Sequence, residues 1–346
     1  MAISEAEITD ALKTVRYPGF SRDIISFGLL KSVTIDNGEV KVQLALATND
    51  PNVPATIKKE SEEALRNLGL TNTEVLIDIH APPAGAGASG MVATRIPGIK
   101  HAIAIASGKG GVGKSTVAAN LAVALEQTNA RVGLCDCDIY GPSISLMFGT
   151  RQRPTATDEN KIIPVEQYNL KLMSMGFLLD DASPAILRGP MVTRYTQQFL
   201  RQVEWGTLDY LILDLPPGTG DIQLTIVQTV ALAGAIIVTT PQEVALIDAR
   251  KAATMFDKVN VPVLGLIENM SYFISPSDQQ RYDIFGSGGG EREAKRLRVP
   301  LLGQIPIDIA TREAGDRGLP IVAEEGRSPV AAEFSRIAGI LKEKLP

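Results

Sequence analysis

The chain has 346 residues, long enough for two domains, and its 45% apolar content lets each bury a core. A formal charge of -5 argues against an electrostatic grip on nucleic acid, and no apolar run of about twenty residues offers a membrane span. Two cysteines and two histidines are too few for a disulfide framework or a histidine-rich metal site. The opening residues Met1 to Glu7 lack the basic start and apolar stretch of a secretory signal, so a cytoplasmic location is expected.

Residues 1–80 read as a small α+β domain. Ile8, Ala11, Leu12 and Val15 share one face of a helix over 4–15. Strands are expected over 24–34 and 39–48, joined through the turn residues Asp36-Asn37-Gly38. A helix over 54–68 and a strand over 74–80 complete the domain, which carries no catalytic pattern and reads as a docking module. Residues 81–98 open with prolines and small residues and read as an interdomain linker.

From residue 99 onward strands and helices alternate, which predicts an α/β domain: a mostly parallel sheet with helices on both faces. Strands are expected at 101–107, 131–136, 170–175, 209–214, 234–240, 262–268 and 300–305. Helices are expected at 114–127, 190–203, 221–232, 244–259, 290–297 and 329–344. Ligands of such sheets collect at the carboxyl ends of the strands.

The first of those ends carries Gly108-Lys109-Gly110-Gly111-Val112-Gly113-Lys114-Ser115-Thr116, which fits G-x-x-x-x-G-K-[ST] between a strand and a helix. Glycines there let backbone N–H groups close on phosphate oxygens at a positive helix end. Lys114 is expected on the β- and γ-phosphates, with the Ser115 hydroxyl in a Mg²⁺ shell. Lys109 is a second loop lysine that a simple phosphate cradle does not need. Asp214, at the tip of Leu211-Ile212-Leu213-Asp214, is the candidate that supports the metal. Asp136 or Asp138 could serve that metal or orient the attacking water. Asn269, at another strand end, can read an adenine edge or form a turn. Gln304 to Asp308 lies where a base could rest. Cys135 and Cys137 alternate on one strand face, where they are either small core residues or thiols that could meet one metal. Tyr272 to Gly290 reads as a long polar loop ending in glycines, and Arg188-Gly189-Pro190-Met191 as the opening of a helix.

These motifs together resemble one family. The loop Gly108 to Thr116 looks like the deviant Walker A of the ParA/MinD/nitrogenase-iron-protein superfamily. Asp138-Ile139-Tyr140-Gly141-Pro142-Ser143, Leu215-Pro216-Pro217-Gly218-Thr219-Gly220-Asp221 and Glu268-Asn269-Met270-Ser271-Tyr272-Phe273 are similar to the Mrp/ApbC iron–sulfur cluster carrier ATPases. The N-terminal segment, with Phe27-Gly28-Leu29-Leu30, resembles an iron–sulfur assembly domain. The resemblance implies a homodimeric ATPase with Mg²⁺ that carries or assembles clusters for apoprotein clients. Neither nucleic acid nor membrane is an expected partner.

By that resemblance Lys109 reaches the partner subunit's nucleotide, Lys114 holds the phosphates, Ser115 the magnesium, Asp138 the attacking water and Asp214 a magnesium-bound water. The chain departs from the family pattern at Ser275-Pro276-Ser277-Asp278, where cluster carriers place C-x-x-C, and at Asn49 to Pro54, where the assembly domain has a cysteine. Serine and aspartate are poor ligands for a soft site. Two alternatives therefore stand beside cluster carriage: an ATP-dependent dimeric scaffold or regulator without a cluster, and a positioning ATPase. The amphipathic end of the chain, 329–346, either binds a surface or packs on the core.

Overall fold

The computed structural model describes residues 4–15, 23–25, 29–36, 39–47, 52–70, 72–80, 93–139, 141–159, 161–177, 199–324 and 328–346. The chain divides into two compact units, Met1–Met91 and Val92–Pro346. Among the described residues no helix is long and apolar enough to cross a membrane.

In the first unit, α1 (Glu5–Leu12) starts at Ser4, whose hydroxyl accepts the Glu7 N–H while the Glu7 carboxylate accepts the Ser4 N–H. Strands β1 (Leu30–Asp36), β2 (Glu39–Ala47) and β3 (Thr73–His80) form one sheet in that order. The β1–β2 pair is antiparallel and β2–β3 is parallel, with helix α2 (Asn52–Asn67) connecting the latter two. Alternation along β2 turns Val40, Val42, Leu44 and Leu46 into a core shared with Ile8, Leu12, Ile57 and Leu65. The first strand begins at Leu30 rather than Ile24, because the Ile24 N–H is taken by the Val15 carbonyl. Asn37, Gly38, Phe27, Gly28 and Asn49 to Pro51 lie outside the described residues.

The second unit is built on β4 (Ile99–Ala106), β5 (Val132–Asp136), β10 (Leu208–Asp214), β11 (Gly234–Thr239), β12 (Val263–Glu268) and β15 (Leu301–Gln304). With β8 (Val165–Gln167) and β9 (Leu170–Met173) they form an eight-stranded sheet, ordered β15-β12-β11-β4-β10-β5-β9-β8. All neighbours run parallel except β8–β9. Short pairs β6 (Thr155–Ala156) with β7 (Ile162–Ile163), and β13 (Phe273–Ile274) with β14 (Arg281–Tyr282), lie outside it.

Strand β4 shows why the sheet is buried on both faces. Ile103 and Ile105 point into one core, against α3 (Lys114–Glu126) and α9 (Pro329–Lys344). Ala102, Ala104 and Ala106 point into the other, whose residues include Ala249 and Phe256 of α6 (Glu243–Lys258). Each isoleucine so buried contributes about 1.5–3 kcal/mol. The interior position of α3 follows from its sequence: Val117 to Leu125 are buried all round the helix. The amphipathic terminal helix α9 packs on the core through Phe334, Ile337 and Leu341.

Several elements differ from the sequence expectation, among them the short strands β6, β7 and β8, which lie outside every predicted strand. The loop after β12 folds back as the β13–β14 hairpin and then enters α7 (Gly289–Leu297). Helix α8 (Ile309–Asp316) was not anticipated; Asp308 caps it by accepting the Thr311 N–H at 2.8 Å. Helix α4 (Ile144–Met147) follows β5, and helix α5 (Asp221–Thr229) follows β10 and ends before the predicted boundary at 232. Of the helix expected over 190–203, residues 199–202 are described and helical; Arg188 to Met191 lie outside. Residues 81–92 of the expected linker lie outside the described residues, and Thr94 is bridged to Val230 within the second unit.

Candidate nucleotide site

The carboxyl ends of β4, β5, β10, β12 and β15 meet at one edge of the sheet. The loop Gly108–Gly113 leaves β4 and turns into α3 through two left-handed glycines, Gly111 at φ 80 and Gly113 at φ 79. No side chain caps the start of α3, so its first N–H groups remain open to an anion. Two walls hold the loop. A Cβ on Gly108 would lie 2.1 Å from the Asp248 carbonyl, and one on Gly113 would lie 2.1 Å from Asn269 Nδ2. The Ser107 hydroxyl also donates to the Lys109 carbonyl at 2.9 Å.

Inside the cradle the Lys114 ammonium, 6% exposed, donates to Asp214 Oδ1 and, at 3.2 Å, to the Ser115 hydroxyl. Asp214 is fully buried, and burial is the main force raising its carboxyl above the ordinary value, opposed by Lys114. Its Oδ2 is buried without a hydrogen-bond partner. An orphaned carboxylate oxygen beside a hydroxyl oxygen is a donor set that suits Mg²⁺, a hard cation that prefers oxygen. Lys109 is partly exposed and forms no ion pair among the described residues.

The two aspartates of β5 separate in role. Asp136 stands beside Asp214 in the parallel register. It is buried and accepts from the Asp138, Ser143 and Ile144 N–H groups and the Ser174 hydroxyl at 2.9–3.3 Å. Burial, with the Asp214 charge next, pushes its carboxyl up to about 7, against the pull of those donors and Lys114. Asp136 thus shapes the loop that follows β5 through these four bonds. Asp138 remains partly exposed and lines a cavity of about 230 Å³ with Ser107, Gly110, Lys114, Ser115 and Pro217.

A second cavity, of about 460 Å³, shares Gly113, Thr116 and Met147 with the first. Asn269, Met270, Ile305, Pro306 and Ile307 line it, an apolar slot with the size and composition for a nucleobase. The amide nitrogen of Asn269 donates to the Val112 carbonyl at 2.9 Å, so this side chain ties the phosphate loop to β12 as well as lining the slot.

Neighbouring Glu268 is an anchor that sequence reading missed. It is buried and accepts the Ser271 hydroxyl at 2.6 Å, the Gln304 amide at 2.8 Å and the Gly290 N–H. Its one legible signal is a charged residue ending an apolar strand.

Cys135 and Cys137 are 0% and 1% exposed, with their sulfurs 3.9 Å apart. The Cys137 thiol points at the Cys135 carbonyl and sulfur, and these contacts, with burial, raise it well above its ordinary value. Of the two roles open to them, the structure gives the core one. Ser275 and Asp278 sit in the β13–β14 hairpin. There the Ser275 and Ser277 hydroxyls bond at 2.8 Å, and Asp278 accepts from the Gln280 N–H and, at 2.7 Å, the Tyr282 hydroxyl. The backbone N–H first, then Tyr282 and Ser275, holds the Asp278 carboxyl below its usual value.

Comparison with known proteins agrees with this geometry. Residues 98–342 match the family described as NUBPL iron-transfer P-loop NTPase, and residues 5–91 match the iron–sulfur cluster assembly protein family. An iron–sulfur cluster carrier protein of Synechocystis is 45% identical over 344 residues, spanning 98% of this chain and 96% of the relative. A solved nucleotide-binding protein of Archaeoglobus fulgidus in complex with ADP is 38% identical, with a TM-score of 0.61, over 69% of this chain and 94% of that one. The septum site-determining protein MinD of Pyrococcus horikoshii, complexed with Mg-ADP, is 27% identical with a TM-score of 0.52, over 70% and 96%. This chain belongs to the NUBPL iron-transfer P-loop NTPase family, with an iron–sulfur cluster assembly domain ahead of its NTPase domain.

Proposed function

We propose that the chain binds and hydrolyses ATP as a homodimer and couples hydrolysis to passing an iron–sulfur cluster to apoprotein clients. One observation carries the ATPase reading: the buried Lys114–Asp214–Ser115 arrangement beneath open N–H groups, with Asp214 Oδ2 unpartnered. The cluster reading rests on family membership and on the carrier proteins this chain resembles.

In this reading Gly108 to Thr116 wrap the phosphates, and the base rests in the slot lined by Asn269, Pro306 and Ile307. The Lys114 ammonium exchanges its bond to Asp214 for the β- and γ-phosphate oxygens. The Ser115 hydroxyl and, through water, Asp214 would hold Mg²⁺, which would supply charge neutralisation to the phosphates. Asp138, at the mouth of the cradle, orients the attacking water. Lys109 adds its charge across the dimer to the partner's phosphates. Phosphoryl transfer is catalysed by such positioning and charge stabilisation. The working compartment is the cytoplasm, where free thiols stay reduced.

The test is cluster transfer from a loaded donor to an apo-acceptor, followed anaerobically with this chain and Mg-ATP. The reading expects faster transfer with ATP and no acceleration by Lys114→Met. Equal rates for the wild type with and without ATP would remove the coupling.

A further inference from the structure

The chain contains two cysteines, and iron–sulfur clusters are held chiefly by cysteine thiolates. Neither cysteine can reach a cluster while the domain is folded. Cys135 sits between Leu213 and Met173 in the sheet register, fully buried. Cys137, 1% exposed, follows it into the same apolar core, its backbone N–H held by the Asp214 carbonyl at 2.9 Å. Exposing both sulfurs would mean pulling the end of β5 off β10, and with it the floor of the phosphate site.

The hairpin offers no substitute. The Ser275 and Ser277 hydroxyls bond to each other, and Asp278 is occupied by Gln280 and Tyr282. Arg281 stacks 4.3 Å over the Tyr272 ring and pairs with Asp283. Its polar atoms are turned on one another, and oxygen donors suit hard cations rather than a thiophilic cluster. Among the described residues no group of three histidine, cysteine, aspartate or glutamate side chains could hold a metal.

We propose that the cluster handled by this protein keeps thiolate ligands from other molecules throughout, and that this chain acts on donor and acceptor without ligating the cluster itself. This rests on the transfer reading above. The exchange balances without a thiolate of this chain. Each iron–thiolate bond broken at the donor is replaced by one to the acceptor. The donor thiolates take up the protons that the acceptor thiols lose, and iron and sulfide keep their oxidation states. The ligand class is a thiolate, from a cysteine-bearing protein or from a small thiol such as glutathione.

The experiment incubates the full chain anaerobically, with an apo-acceptor protein bearing free cysteines in the second and third arms, in three arms: iron and sulfide alone, the same with glutathione, and a cluster-loaded cysteine-bearing scaffold protein. Each is desalted, and iron and sulfide per chain are measured. ATP turnover is measured in parallel. The first arm is expected to hold no more iron than a metal-free control protein, with Cys135→Ala/Cys137→Ala behaving like the wild type. One thiol arm is expected to show chain-dependent retention or delivery of the cluster: the glutathione arm for a small-thiol ligand, the scaffold arm for a protein ligand. Iron and sulfide retained by the chain alone would overturn the proposal. So would a cluster that neither thiol arm retains or delivers in a chain-dependent way. Loss of ATP turnover, or chain-dependent retention or delivery that is the same with and without ATP, counts instead against the transfer reading.

Discussion

Lys114→Met separates the structural role of this lysine from its chemical one. The substitution keeps an unbranched stem and removes the ammonium that faces Asp214 Oδ1. Asp214 is 0% exposed and its other oxygen has no partner, so the variant leaves a buried carboxylate uncompensated. Breaking a buried pair from one side costs about 3–5 kcal/mol. For a domain of this size that lowers the melting midpoint by about 10 °C. Adding Asp214→Asn removes the stranded charge and recovers most of the loss, while nucleotide binding stays weak because the phosphate lysine is gone. The assay is thermal unfolding of the full chain at neutral pH without nucleotide or Mg²⁺. A single variant melting within about 2 °C of wild type would show that Asp214 does not depend on Lys114, and the reasoning would fail.

Three further outcomes follow from the same geometry. Gly113→Ala places a Cβ against Asn269 at a backbone φ of 79, so nucleotide affinity falls. Isothermal titration should show a loss of about tenfold or more, given the strain and the clash. Asn269→Ala frees the Val112 carbonyl and loosens the phosphate loop. Affinities for ATP and GTP should drop together by about tenfold; a change confined to the choice between bases would assign Asn269 to the base alone. Asp209 accepts three bonds from Arg131, whose side chain and backbone hold its carboxyl down to about 2. A depressed carboxyl stabilises above its unfolded value and loses that contribution as pH falls, here between about 4 and 2. Asp209→Asn should cost about 1 kcal/mol at pH 6, after screening of this partly exposed pair, and almost nothing at pH 2.

The sequence shows the phosphate loop plainly because its spacing is a mechanism: glycines where φ turns positive, a lysine at the helix start, a hydroxyl beside it. Asp214 is legible as a candidate because it ends an apolar strand close to the phosphate loop, although Asp136 and Glu268 end apolar strands too and serve as hydrogen-bond anchors. The role of Asp136 is not legible. Its four donors are spread over residues 138–174, among short helices and strands whose packing onto Asp136 no periodicity reveals. Asn269 looks like a base reader or a turn residue until Gly113 is found packed against its amide. Helix α8 is short and buries only Ala314, and its Asp308 cap marks its start. The paired cysteines show the limit most clearly: alternation places both sulfurs on one face, but only the neighbouring strands reveal that the face is closed.

The central claim is that this fold hydrolyses ATP with a lysine contributed across a dimer, and Lys109→Ala tests it most directly. Steady-state ATP turnover and ATP affinity are measured on the same preparation. Lys109 forms no ion pair among the described residues, so its loss leaves the fold and the cradle intact. Turnover is expected to fall about 100-fold, the usual loss for one electrostatic contact to a transition state, with affinity changed by less than about threefold. Unchanged turnover, or turnover and binding lost together, would contradict it.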